Sequence, residues 1–160
     1  MNWRACIEQL YAATPQRADE SPRFSPPASQ EQIAQMEQRF SLPLPDALKA
    51  ILLETNGVME KLRVGEEVIE TGWLLWPVEE IIQENSWLRD DNQRNPLYAP
   101  FDDLLFFATP GVDGIRFAWR DSAPDSTGVY AWFPIEDERR YLAPSIEAFL
   151  TGWIGCTLSI

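Results

Sequence analysis

The chain contains no histidine, and this absence removes several kinds of active site. Ser-His-Asp and Cys-His catalysis, a histidine general base and an HExxH zinc site all require imidazole. Two cysteines, Cys6 and Cys156, are too few for a zinc site built from cysteine alone. Catalysis would therefore have to use carboxylate pairs, tyrosine, lysine or a divalent ion bound by carboxylates.

The chain also lacks a long apolar run. No segment approaches the ~18 apolar residues that a membrane span needs. The N-terminal segment MNWRACIEQLYAAT carries Arg4 and Glu8 within its apolar pattern, so it has no signal-peptide core. We expect a cytoplasmic protein with no membrane partner. In that compartment Cys6 and Cys156 should be free and buried, and a disulfide between them is the alternative left open.

Positive charge is scarce beyond residue 63. The formal net charge is −12, and residues 1–63 carry seven Lys/Arg against eight Asp/Glu, which leaves a net charge of −11 on residues 64–160. Between Arg63 and Arg89 there is no cation at all. Such a field repels nucleic acid and favours encounter with a basic partner, although solubility alone would also account for it.

What the sequence does contain predicts an α+β domain. The 160 residues, 45% of them hydrophobic, suffice for one core. Helical spacing predicts helices over 2–13, from Ser29 onward, over 45–55, after Pro77 and over 144–154. The prolines of residues 14–28 predict an extended connector without regular structure. We therefore place a boundary between an N-terminal helix with its connector, 1–25, and a main domain, 26–160.

The middle of the chain predicts a sheet. Strands are expected at 66–70, 73–76, 104–108, 115–119 and 128–133, with a short one at 141–142. Residues 90–100 are expected to form a polar loop. Because the later strands are joined by turns too short for crossovers, the sheet should be mixed but mainly antiparallel, with the helices packed around it.

Three aspartates around one predicted hairpin are the first candidates for chemistry. Asp102 and Asp103 precede the strand at 104–108, and Asp113 lies in the turn after it. Five strand residues would separate the two groups by about 16 Å, too far for one divalent ion. Asp113-Gly114 is explained better as turn chemistry, since both residues accept a positive φ.

Glutamates and tryptophans supply the other candidates. Glu66, Glu67 and Glu70, with Glu79 and Glu80, would act as general acid and base only if two of them faced each other in a cleft. A solvated acidic face is the simpler interpretation. Trp73 and Trp76 are three residues apart on a strand, so they should point to opposite faces. An exposed tryptophan ringed by acids would anchor a protein partner.

Four segments in sequence resemble the SMI1/KNR4 family of the SUKH superfamily. They are PPASQEQIAQMEQRFSLPLPDALKAILLETNG (26–57), WLLWPVEEIIQEN (73–85), LLFFATPGVDGIRFAW (104–119) and GVYAWFPIEDERRYLAPSIEAFLTGWI (128–154). The resemblance does not extend to the N-terminal helix and connector. It implies an α+β fold, and neither branch of the family implies a catalytic site. It also implies either a bacterial immunity protein that neutralises a toxin, many such toxins being nucleases, or a regulator linked to the cell wall.

Together these arguments predict a non-catalytic protein without cofactor or metal, which binds a basic toxin domain through an acidic surface. The alternative is a regulatory or scaffolding protein of cell-wall or stress signalling, whose N-terminal helix and connector would carry the contacts. A carboxylate-only hydrolase is the third hypothesis. The predicted partner-binding residues are Glu66, Glu67, Glu70, Trp76, Glu79, Glu80 and Asp113.

Overall fold

The computed structural model describes residues 2–122 and 126–160. These residues form five α-helices and seven strands, with one short 3-10 turn at Pro15–Arg17. The helices are α1 (Trp3–Ala12), α2 (Gln30–Phe40), α3 (Asp46–Glu54), α4 (Val78–Arg94) and α5 (Ile146–Ile154). The strands are β1 (Glu20–Phe24), β2 (Val58–Val64), β3 (Glu67–Leu75), β4 (Leu104–Ala108), β5 (Arg116–Arg120), β6 (Gly128–Phe133) and β7 (Glu138–Ala143).

The strands make two antiparallel sheets, in the orders β1-β2-β3 and β4-β5-β6-β7. The α+β class predicted from the sequence is confirmed, and every pairing among the described strands is antiparallel. An isolated bridge between Trp73 and Thr109 joins the two sheets. The backbone N–H of Trp76 extends the contact by donating to the carbonyl of Phe107 at 2.7 Å.

Both faces of the four-stranded sheet are buried, one by α5 and the other by aromatic residues of the segment that follows α4. On one face the ring of Phe149 in α5 packs against Phe117, with ring centroids 4.9 Å apart. On the other face Phe106 and Trp132 pack together at 5.5 Å. At the edge of the sheet, the side chain of Asn85 in α4 bonds both backbone groups of Phe106 in the outer strand β4, at 2.8 Å each. Neighbouring strand residues point to opposite faces, so this sheet is buried on both sides.

Local sequence chemistry explains where the helices begin. Ser29 accepts the N–H of Gln32 while the Gln32 side chain accepts the N–H of Ser29, which is the predicted capping box of α2. The Ser145 hydroxyl accepts the N–H of Ala148 at the start of α5. For α4, which begins after Pro77, the cap comes from a distant residue, because Asn56 accepts the N–H of Val78 at 2.8 Å. Within the described residues, none of the helices has both the length and the apolar character needed to span a bilayer.

The structure corrects the description of the proline-rich connector. Residues 20–24 form β1, which pairs antiparallel with β2 and places Pro22 opposite Glu60. Proline lacks a backbone donor, yet it is tolerated on an edge strand where that donor would have no ladder partner. The helix before it is equally integrated, since Trp3, Ile7 and Tyr11 of α1 belong to the main core. The boundary after residue 25 remains a prediction.

Three other elements differ from the sequence prediction. Strand β2 was missed, because the charged residues within VMEKLRV lower its apparent strand propensity. The two strands expected at 66–70 and 73–76 are one strand, β3, which continues through Gly72 with an irregular register opposite Glu60 and Lys61. Residues 90–94, expected in a loop, are the last turns of α4; the polar side chains of these turns lie on a largely solvated helix surface.

Both cysteines are free thiols in the structure. The expectation that both are buried is wrong for Cys156, which is exposed. Cys156 follows α5 in a left-handed backbone conformation, with φ +58°. Cys6 is half-buried on α1.

Candidate functional site

Three turns lie at one end of the two sheets. The β4–β5 and β6–β7 turns share an end because successive antiparallel strands reverse direction. Strand β3 runs antiparallel to β4 at the Trp73–Thr109 bridge, so its N-terminal half and the β2–β3 turn extend toward the same end. We call this surface the turn edge; it comprises residues 64–70, 109–115 and 134–137 together with Ile160.

Close backbone approaches fix the β4–β5 turn between its neighbours. Gly111 has φ +82°, and a Cβ there would fall 2.3 Å from the carbonyl oxygen of Thr71 in β3. On the other side, a Cβ at Gly114 would lie 3.3 Å from Cγ of Pro134 in the β6–β7 turn. Within the turn, the Thr109 hydroxyl donates to the carbonyl of Ile115 at 2.9 Å. The β4–β5 turn is therefore packed between strand β3 and the β6–β7 turn.

A cavity of about 340 Å³ lies between the β4–β5 and β6–β7 turns. We call it the turn cavity. Two carboxylates, those of Asp113 and Glu136, line this cavity. Its apolar lining residues are Val112, Ile115, Phe133, Pro134, Ile135 and Ile160.

Exposed aliphatic side chains are concentrated at the turn edge. Ile135 is 85% exposed, and five other aliphatic residues of this surface are between 36% and 56% exposed. The five are Val64, Val68, Ile69, Val112 and Ile160. Val112, Ile135 and Ile160 line the cavity, while Val64, Val68 and Ile69 lie on the β2–β3 hairpin. Scattered exposed apolar residues are ordinary, but a group of them around a cavity is typical of an interaction surface.

Four predicted partner-binding acids lie on the turn edge. Glu66 and Glu67 are exposed at the β2–β3 turn, and Asp113 is exposed in the β4–β5 turn with φ +53°. Glu70 forms an ion pair with Arg23 at 2.9 Å. The hairpin also carries the cations Lys61 and Arg63, which offset part of its charge, whereas the lining of the turn cavity contains acids and no cation.

The other two predicted acids, Glu79 and Glu80, lie outside the turn edge. Glu79 and Glu80 stand in the first turn of α4, beyond the far end of the nine-residue strand β3, and roughly 25–30 Å from Glu67 along that strand. Glu79 accepts hydrogen bonds from the amides of Gln32, at 3.0 Å, and Asn56, at 3.1 Å. Its carboxylate thus ties the start of α4 to α2 and to the loop after α3. The seven predicted residues do not form one face.

Trp76 is not on the surface. Its side chain is 4% exposed and belongs to the core, so it has no free area to offer a partner. The exposed tryptophan is Trp87 on α4, at 54%, with Glu84, Asp90 and Asp91 within one helical turn along the sequence. The helical periodicity of α4 indicates the exposure of Trp87. The buried stripe of the helix consists of Val78, Ile81, Asn85 and Leu88, and Trp87 lies outside it. Trp119 and Trp132 are buried.

The turn cavity suits binding better than catalysis. Asp113 and Glu136 do share it, which is the arrangement that the hydrolase hypothesis requires. Both are exposed, however, and the other lining residues are apolar, so the lining supplies no polar group to orient a substrate. Within residues 2–122 and 126–160, no three acidic or cysteine side chains are grouped so that they could hold a metal ion.

A second group of titratable residues is buried away from the turn edge. The Tyr11 hydroxyl donates to Glu60 at 2.7 Å, and a nitrogen of Arg17 lies 3.7 Å from the same carboxylate. Burial raises the pKa of Glu60, and the bond from Tyr11 and the charge of Arg17 reverse only part of that rise. Burial and the neighbouring Glu60 also raise the pKa of the Tyr11 hydroxyl.

Arg17 connects this group to the end of α5. Its guanidinium donates to the carbonyls of Trp153, at 2.6 Å, and Ile154, at 3.1 Å. These are carbonyls at the C-terminal end of the helix, where a cation is also favoured by the helix dipole. The same side chain pairs with Glu20 in β1 at 2.5 Å. Each of these polar groups thus has a partner within the protein. The cluster links the N-terminal segment to β2 and to the end of α5.

The fold and the turn edge together define a class of protein: an α+β domain with an exposed, acidic and apolar surface suited to binding another protein. A model of the SMI1/KNR4 family (SUKH-1) matches residues 27–152. The chain belongs to this family, as the sequence resemblance indicated. Among curated proteins, none matches the chain.

Proposed function

We propose that this protein is a bacterial immunity protein that binds and neutralises a cognate toxin, possessing no catalytic role of its own. Its family supports the proposal, because the SMI1/KNR4 (SUKH) family includes immunity proteins. The mechanism is occlusion: the immunity protein covers the surface through which the toxin reaches its substrate.

The observation that carries the proposal is the composition of the turn edge. Exposed aliphatic residues there stand beside acids that include Glu66, Glu67, Asp113 and Glu136. A toxin that acts on nucleic acid needs a basic surface, and such a surface is complementary to these acids. Burial of a few apolar anchors supplies most of the affinity, while the charges raise the association rate and make it sensitive to salt.

The test uses the protein encoded beside this chain as the candidate toxin. Co-expression should restore growth to a host that expresses that toxin, and the purified proteins should form a complex. Its association rate should fall by about tenfold or more between roughly 50 and 300 mM salt, because salt screens exposed charges.

Matched variants locate the effect on the turn edge. Replacing Glu66, Glu67 and Asp113 by Gln, Gln and Asn should slow association and weaken its salt dependence. Asparagine also accepts the left-handed backbone at position 113, so the turn is preserved. The control replaces Glu8, Glu31 and Glu147, which are exposed on three helices, by glutamine. A salt-insensitive association rate, or equal losses in the two triple variants, would contradict the electrostatic account.

The scaffolding alternative assigns the partner contacts to the N-terminal helix and connector. Trp3, Ile7 and Tyr11 of that helix face the core, and the connector pairs with β2 as an edge strand. The large apolar side chains of this helix are therefore buried in the core and are not available to a partner. Within the described chain, its packing supports a structural role more than a role as a separate docking arm.

A further inference from the structure

The turn cavity has the properties of a socket for one kind of side chain. We propose that it receives an aliphatic or aromatic residue of the protein partner, and that lysine or arginine residues beside that residue pair with Asp113 and Glu136. The inference rests on the proposed function and adds to it the place and the chemistry of the contact. The occupant is a partner segment of apolar and basic residues in alternation.

The size and lining of the cavity favour such an occupant. A volume of about 340 Å³ is at the small end of the range for ligand pockets. Ile115, which is buried, and Phe133 form part of an apolar wall, and Ile135 projects beside them with 85% of its surface exposed. An incoming apolar side chain would cover this surface and release the water around it.

The cavity is held in shape before any partner binds. The carboxylate of Asp137 fixes the β6–β7 turn by accepting the indole N–H of Trp132 at 2.9 Å and the backbone N–H of Ala99 at 2.8 Å. The guanidinium of Arg140 lies 4.4 Å from the ring centre of Phe133 and supports that wall from the sheet. A preformed socket loses little conformational freedom on binding, which favours affinity.

The charge around the cavity selects for basic residues in the occupant. Asp113 and Glu136 are the charged side chains of its lining, and both are exposed. Two cations stand beside the cavity, Arg116 and Arg140, and both are already paired with the acids Glu84 and Glu138. The other candidate surfaces carry cations of their own: Lys61 and Arg63 on the β2–β3 hairpin, and Arg94 on the Trp87 surface of α4. An acidic segment would meet repulsion from Asp113 and Glu136, and a purely apolar segment would leave both carboxylates without a partner.

Short synthetic peptides test this chemistry on the intact protein. One alternates lysine with leucine, a second alternates lysine with serine, and a third alternates glutamate with leucine. In a nuclear magnetic resonance titration, the lysine–leucine peptide should shift the signals of Val112, Ile115 and Ile135 and bind at least about tenfold more tightly than the other two. Equal binding of the lysine–serine peptide, binding of the glutamate–leucine peptide, shifts confined to another surface, or no binding would each overturn the proposal.

Two exposed substitutions separate the cavity from the rest of the surface. The double variant Val112→Ser and Ile135→Ser removes apolar walls that the fold does not bury, and it should weaken lysine–leucine binding by at least about tenfold. The matched control is Leu97→Ser, which is 68% exposed and is not part of the cavity lining. Retained binding in the double variant, with an unchanged unfolding midpoint, would also overturn the proposal.

The toxin assay then separates this inference from the proposed function. If the double variant neutralises the toxin as well as the parent, the socket is wrong while the immunity function stands. If the parent fails to neutralise any neighbouring gene product but binds the lysine–leucine peptide at the cavity, the socket stands and the immunity function is wrong.

Discussion

At the scale of the residue, Asn85 connects a helix to a sheet inside the core. Its side chain is 1% exposed, and its amide makes three hydrogen bonds. It donates to the carbonyls of Ile81 and Phe106 and accepts the N–H of Phe106. These bonds satisfy the backbone N–H and C=O of Phe106 on the side of β4 that α4 covers. A polar residue in an apolar core is tolerated here because each of its groups has a partner.

We predict that Asn85→Ala lowers the free energy of unfolding by about 3 kcal/mol, because the buried N–H and C=O of Phe106 lose their partner. Urea unfolding at equilibrium measures this change. The control, Gln83→Ala on the exposed side of the same helix, should change it by less than about 0.5 kcal/mol. A loss below about 1 kcal/mol for Asn85→Ala would mean that another group replaces the amide.

A second residue-scale prediction concerns pH. The raised pKa of Glu60 means that the folded state holds its proton more tightly than the unfolded state. This contribution to stability is fully present below the unfolded pKa and is lost as the pH rises through the higher folded value. Glu60→Gln removes it, so the stability of the variant relative to the parent should increase as the pH rises through that window.

Urea unfolding over a series of pH values, starting from acid, checks this prediction. Tyr11, Arg17 and Glu20 are the titratable groups around Glu60, and all three remain in the variant. Glu8→Gln, on the exposed side of α1, controls for the loss of one negative charge at the surface. A difference between Glu60→Gln and the parent that stays constant with pH would contradict the assignment.

At the scale of the element, the turns place the candidate site, and the sequence predicted them unevenly. The β4–β5 hairpin was predicted because Asp113-Gly114 is turn chemistry between two apolar strands. Two other glycines with a positive φ, Gly65 in the β2–β3 turn and Gly111 earlier in the β4–β5 turn, gave no comparable signal. The role of each glycine depends on the atoms that a Cβ at its position would meet. For Gly111 this atom is the backbone carbonyl oxygen of Thr71 in β3, which is about 40 residues earlier in the chain.

We predict that Gly111→Ala costs more stability than Gly65→Ala. Both glycines have a positive φ, +82° and +64°, so each substitution introduces a strain of about 1–2 kcal/mol. Nothing lies within 4 Å of a Cβ at Gly65, whereas a Cβ at Gly111 meets the Thr71 carbonyl at 2.3 Å. The β4–β5 turn must then move away from β3, which should add about 1–3 kcal/mol. Equal losses in urea unfolding would show that the turn is not held against β3.

At the scale of the whole molecule, the N-terminal segment and the family domain form one core. The family match begins at residue 27, yet α1 buries three large side chains in the core of that domain. Arg17 bonds the end of α5, and β1 completes the three-stranded sheet. The segment therefore contributes helix α1, strand β1 and the Arg17 side chain that caps the end of α5.

We predict that residues 26–160 alone do not unfold cooperatively, because deletion of residues 1–25 exposes the core surface that Trp3, Ile7 and Tyr11 cover. Each such side chain is worth roughly 1.5–3 kcal/mol of burial, comparable in sum to the stability of a typical domain. Circular dichroism during thermal unfolding measures the transition. Addition of a synthetic peptide of residues 1–25 should restore it. A truncated protein that unfolds at the midpoint of the full chain would support the boundary after residue 25.

The sequence by itself determined the class of fold, the positions of its five helices and the chemistry that it excludes. Helix periodicity, the capping box at Ser29 and the turn at Asp113-Gly114 are encoded within a few neighbouring residues, so they can be read locally. The missing histidine excludes imidazole chemistry wherever the chain folds.

Only the tertiary structure decided which side chains are available to a partner. It buried Trp76 and exposed Trp87, separated Glu79 from Glu66 and Glu67, and brought Asp113 and Glu136 to one cavity. It also gave the proline-rich connector a place as an edge strand. Exposure and proximity depend on contacts between residues far apart in the chain, and local pattern carries the period of a strand or helix without specifying what covers each face.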